Sequence, residues 1–140
     1  MKWLFLVVLL VSGCSDSIFS PEEDCNCEFE ISSTLPSIDG IYQLEFNASL
    51  AQTYSILDVS TECGWANHIQ WDSDYMYNIN GYPTSLVNPG SMTDEDGNAK
   101  IVFAVWEEFV NKTITIYGGY TDDHGHHKVD SVKVHVIDNE

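Results

Sequence analysis

From Cys27 to the end of the chain, apolar residues recur at every second position and never settle into a helical spacing. Side chains that alternate in this way point to opposite sides of an extended backbone, so each stretch can bury one face and wet the other. Cys27, Phe29 and Ile31 share one face, with Glu28, Glu30 and Ser32 on the other. After a turn at Asp39-Gly40, Tyr42, Leu44 and Phe46 alternate with Gln43 and Glu45. Tyr54 to Val59 reads as a central strand, and His68 to Trp71 as another with Ile69 and Trp71 on one face. Lys100 to Trp106 is dense enough in apolar residues to predict burial on both faces. Thr113 to Tyr120 sends Ile114 and Ile116 inward, and Val132, Val134 and Val136 do the same in the last strand. The stretch from Asp72 to Gly97 is the least regular; Gly81, Pro83, Pro89 and Gly90 punctuate it, and a short edge strand is expected near Thr84 to Val87. Seven to eight short strands separated by turn residues predict an all-β fold, an antiparallel β-sandwich.

The chain before this pattern is of another kind. Met1-Lys2 supplies one positive charge, and Trp3 to Val11 is an unbroken apolar run. A bilayer-spanning helix needs about 20 apolar residues, so this run has the length of a secretory signal. Its end, Val11-Ser12-Gly13-Cys14, resembles the signal of bacterial lipoproteins: an apolar residue, two small residues, then cysteine. The resemblance implies cleavage before Cys14, a diacylglycerol on its sulfur and an acyl group on its new amine. Residues 1–13 are then the signal peptide, 14–26 a lipidated, disordered acidic tether, and 27–140 the sandwich. Ser15 after the lipidated residue is similar to the pattern of outer-membrane sorting. The alternative is an ordinary secretory signal with an unrelated cysteine near the cut.

Charge narrows the choice of partner. All 22 acidic residues follow Cys14, against four lysines and no arginine, a formal charge of −18. Nucleic-acid binding depends on Lys and Arg neutralising phosphates and is excluded as a working reading. Docking on anionic headgroups is disfavoured for the same reason, so the lipid would carry membrane contact. The acidity itself reads as solubility.

With Cys14 lipidated, Cys25, Cys27 and Cys63 remain. An exported chain favours disulfides. Cys25-Asn26-Cys27 would close a strained ring, so Cys63 is expected to pair with Cys27 or with Cys25.

Two segments carry a further resemblance. Leu57-Asp58-Val59-Ser60 through His68-Ile69-Gln70-Trp71-Asp72-Ser73-Asp74 is similar to the B-to-C region of immunoglobulin-like and PKD-type domains, where a core tryptophan precedes an acidic turn. Thr113-Ile114-Thr115-Ile116, Asp122-Asp123-His124-Gly125 and Asp130-Ser131-Val132-Lys133-Val134-His135-Val136 are similar to the closing F–G hairpin of those domains. Asp72-Ser73-Asp74 lacks the Phe-Gly-Asp-Gly continuation of PKD domains, so the resemblance implies an immunoglobulin-like sandwich more than a PKD domain. It implies no activity.

Candidate chemistry is sparse. His124, His126 and His127, with Asp122 and Asp123, offer zinc or copper ligands at a hairpin tip, or else form a polar turn that is rich in histidine. Asp94-Glu95-Asp96-Gly97-Asn98 and Asp72-Ser73-Asp74 offer carboxylates for calcium, but neither has the D-x-D-x-D-G order closed by a distant glutamate, and solvated acidic turns are the other reading. The sequence has no G-x-S-x-G, no H-E-x-x-H and no phosphate loop, and Glu107-Glu108, being adjacent, would diverge on a strand; no catalytic residue and no obligate cofactor are expected. Tyr75, Tyr77 and Tyr82, with Asn78 and Asn80, resemble an exposed recognition loop, since tyrosine supplies contact area at low entropy cost; packing at the sandwich edge is the equal alternative. The expectation is a lipid-anchored, non-enzymatic envelope protein, sited at the outer membrane, that binds a protein or glycan. A metal-binding lipoprotein and a structural accessory of an envelope complex are the alternatives.

Overall fold

In a computed structural model, residues 28–62, 68–88, 90–121 and 125–139 are described. They form eleven strands: β1 (Phe29–Ser32), β2 (Ser37–Ile38), β3 (Ile41–Phe46), β4 (Thr53–Thr61), β5 (Ile69–Ser73), β6 (Met76–Ile79), β7 (Tyr82–Ser85), β8 (Gly90–Ser91), β9 (Asn98–Val105), β10 (Thr113–Thr121) and β11 (His127–Asp138). The fold is an all-β sandwich, as the alternation predicts. A three-stranded sheet, β1-β4-β9, faces a six-stranded sheet, β2-β3-β11-β10-β5-β8, and β6-β7 forms a separate hairpin.

Alternation fills the space between the sheets. Leu57 and Val59 of β4 and Ile101, Phe103 and Val105 of β9 meet Leu44, Phe46, Ile69, Trp71, Ile114, Ile116, Val132, Val134 and Val136 in one buried cluster. Polar tips that enter the core are satisfied. Trp71 Nε1 donates to Ser91 Oγ at 2.7 Å, and Thr61 Oγ1 lies 3.1 Å from the Tyr120 hydroxyl. The free edge of β1 is tied to the other sheet, where the Ile31 N–H donates to Asp130 Oδ2 of β11 at 2.8 Å.

Three expectations change. Eleven strands replace seven or eight, because two-residue strands (β2 and β8) and the β6–β7 hairpin add to the main ladder. One pair is parallel rather than antiparallel, β3 with β11. These two strands lie far apart in the chain, and parallel pairing needs such a long connection. Finally, β9 is buried on one face only: Val102 is 48 % exposed and Lys100 is exposed beside its ion-pair partner Asp58. Nothing among the described residues covers the outer face of that sheet, so apolar density there did not mean double burial. Glu107 and Glu108 lie in a 3₁₀ turn (Glu107–Phe109), where the expected strand has already ended.

Candidate functional site

The stretch expected to be irregular is a hairpin. Asn80 and Gly81 both take positive φ, 53° and 87°, as the two central residues of a type I′ turn require. This turn twists with its strands, so the register is tight: Ile79 faces Tyr82, Asn78 faces Pro83, Tyr77 faces Thr84 and Met76 faces Ser85. Directly opposed residues share a face, which sets Tyr77, Ile79, Tyr82 and Thr84 on one side. The signal for this turn was present in the sequence: an Asn-Gly pair between alternating apolar residues is a strong hairpin marker.

The base of the hairpin is fixed from below. Asp74 N–H donates to the Thr115 carbonyl at 3.1 Å, and Thr115 N–H returns a bond to Asp74 Oδ1 at 2.9 Å. The Tyr75 ring meets Phe109 edge-on, with centroids 5.8 Å apart, and Lys112 Nζ lies 5.6 Å from the Tyr75 centroid and 5.4 Å from that of Phe109. Tyr77 stacks on Trp106 at 4.0 Å. On the return path, Ala104 N–H donates to the Leu86 carbonyl at 2.9 Å, and Val87 bridges to Phe103.

The three tyrosines therefore divide by role. Tyr75 and Tyr77 hold the hairpin to the sandwich, whereas Tyr82 is 76 % exposed beside the turn, opposite an Ile79 that is 43 % exposed. Met76 is exposed on the other face. The arrangement is a braced arm with an apolar and aromatic tip. Trp106, Ile79 and Met76 were not singled out from the sequence, because their roles depend on the hairpin that gathers them.

The histidine-rich turn is described only in part. Asp122, Asp123 and His124 lie outside the described residues, as do Cys14, Cys27 and Cys63. His127 Nδ1 lies 2.9 Å from Thr121 Oγ1, and His126 is exposed. His135 sits toward the far end of the same ladder, opposite Thr113, with its Nδ1 3.0 Å from Thr113 Oγ1. Among the described residues no three His, Cys, Asp or Glu side chains gather as metal ligands. The acidic turns serve the backbone. Asp94 Oδ1 accepts from the N–H groups of Asp96 and Asn98 at 3.0 and 2.8 Å, and Asp72 Oδ1 accepts from Ser73 N–H at 2.8 Å.

The chain was compared with protein-family models, with curated proteins and with solved structures, and none of the three comparisons gives a match.

Proposed function

We propose that this chain is a lipid-anchored protein of the bacterial envelope, and that its immunoglobulin-like sandwich carries the β6–β7 hairpin as a docking arm for a protein partner. The exposed, braced tip carries the reading. An aromatic residue that is mostly exposed, beside an exposed isoleucine, is what a binding surface offers before its partner covers it. The stack of Tyr77 on Trp106 reduces the freedom that the arm would lose on binding. Asn78 and Asn80 are exposed beside Tyr82 and Ile79, so the tip offers an aromatic and aliphatic centre with a polar rim, the pattern of a protein interface.

Immunoglobulin-like topology is supported by strand order. β1-β4-β9 opposite β11-β10-β5 follows the A-B-E and G-F-C arrangement, with Trp71 buried on the strand equivalent to C. The envelope address is supported by Val11-Ser12-Gly13-Cys14. Phe29, where the described chain begins its first strand, packs on Tyr120 near the end of β10, whereas the hairpin base bonds Thr115 near its start. A tether entering at Glu28 would thus leave the arm toward the end of the sandwich away from the bilayer.

A photo-crosslinking residue at position 82 should give one discrete protein adduct in the native host, and Ile79→Ser should abolish it. The same probe at exposed Glu45 should give none. Absence of any adduct at position 82 would sink the docking reading. Cys14→Ser should release the protein from membranes, and retention of that variant would sink the anchor.

A further inference from the structure

The outer face of the six-stranded sheet holds a second concave surface, independent of the hairpin. A groove of about 570 Å³ crosses β5, β10 and β11, with His68, Gln70, Asp72, Tyr117, Thr121 and His127 among its lining residues. Its floor is Gly119, paired with Gln70 on one side and Val129 on the other. Glycine leaves a gap in the outer row, and the neighbouring rows stand above it: Asp72, Tyr117 and Ser131 on one side, Thr121 and His127 on the other. A Cβ at Gly119 would come within 2.9 Å of the Lys128 carbonyl oxygen, so close strand packing keeps the floor bare.

The walls combine two chemistries. Tyr117 is 42 % exposed and Val129 70 %, giving an aromatic ring and a branched aliphatic group on one open surface. Around them are planar polar groups, two of them oriented by hydrogen bonds within the fold. Asp72 Oδ1 is held by Ser73 N–H, which leaves Oδ2 to accept; His127 Nδ1 is held by Thr121 Oγ1, which leaves Nε2. The exposed Gln70 amide bonds no other described residue. A pyranose ring presents the complement, with an apolar C–H face to lie on an aromatic ring and equatorial hydroxyls to meet planar donors and acceptors. Charge selects among sugars. A chain of net charge −17 repels acidic polysaccharides, and among the described lining residues Asp72 is the only carboxylate, too few for a polycation.

We propose that this groove binds a neutral oligosaccharide, with Tyr117 as the stacking platform and Gln70, Asp72 and His127 as hydroxyl partners. The test is calorimetric titration of the full-length protein in detergent with chitotetraose, cellotetraose and maltotetraose. At least one should bind with Kd below about 1 mM. Tyr117→Ala and Gln70→Ala should each weaken that binding about tenfold, as loss of a central contact does. Tyr117→Phe and Tyr82→Ala should leave it within about twofold of wild type. If Tyr117→Ala loses its β-sheet circular dichroism, Gln70→Ala decides the matter alone. No binding by any of the three sugars overturns the proposal, as does binding that Gln70→Ala leaves unchanged. A protein adduct at position 117 without sugar binding overturns it too, and assigns the groove to a protein.

Discussion

The ring of Tyr77 lies flat on that of Trp106, with centroids 4.0 Å apart and planes 5° from parallel. Neither residue is in the main sheets, yet this contact joins the β6–β7 hairpin to the segment that follows β9. Aromatic pairs of this kind contribute about 0.5–1.5 kcal/mol beyond the area they bury. Tyr77→Ala and Trp106→Ala should therefore be coupled by about that amount in a double-mutant cycle of urea unfolding. Hydrogen exchange should show faster exchange in Met76–Ser85 for either variant, with β10 and β11 unaffected. Independent effects would mean that the stack does not brace the arm.

Asp130 links the sheets through a backbone donor. Its Oδ2 accepts from Ile31 N–H while Oδ1 accepts from Ser131 N–H, both at 2.8 Å. Asp130→Ala would strand the Ile31 donor at a half-buried edge, and should cost about 1–3 kcal/mol of stability by denaturant titration. Asp130→Asn retains one carbonyl acceptor and should cost less.

Gly118 faces the core where no side chain fits. A Cβ there would lie 2.9 Å from both Ile31 Cδ1 and Trp71 Cζ3. Gly118→Ala should destabilise the fold by about 1–3 kcal/mol through overpacking, with a change in tryptophan fluorescence because Trp71 must give way. A neutral effect would indicate that Ile31 and Trp71 repack without strain.

The β1–β4 ladder runs to Glu28 and Glu62, where Glu62 N–H donates to the Glu28 carbonyl at 3.1 Å. Cys27 and Cys63 are the next residues in sequence beyond that pair. Non-reducing peptide mapping should find Cys27 joined to Cys63 rather than Cys25 to Cys63. Reduction should lower stability by about 2–4 kcal/mol, the usual effect of opening a loop of this size.

Much of the sandwich was legible because strand faces follow from a local rule. Ile114 and Ile116, or Val132, Val134 and Val136, reveal their buried side by spacing alone, and all are buried. The rule fails where burial depends on what lies above a face. Val102 carries the same apolar signal as Phe103, but no element among the described residues covers it. The candidate sites were less legible. The turn residues Asn80-Gly81 mark a hairpin, yet nothing in the spacing of Tyr75, Tyr77 and Tyr82 says which will find Phe109 or Trp106. The groove is harder still, since Gln70, Tyr117, Gly119 and His127 come from three strands and only register brings them together.

The sequence by itself determined that the chain is β throughout its second part, which side of most strands is apolar, and that the chain carries a large net negative charge. Period-two alternation and net charge are properties of neighbours and sums, and need no partner. Only the tertiary structure decided that β3 lies parallel to β11, that two tyrosines brace while the third is presented, and that a glycine floor lies between Tyr117 and the Thr121–His127 pair. Those outcomes depend on pairing between residues far apart in the chain. Such pairing is settled by the packing of the whole core, not by the order of residues along one strand.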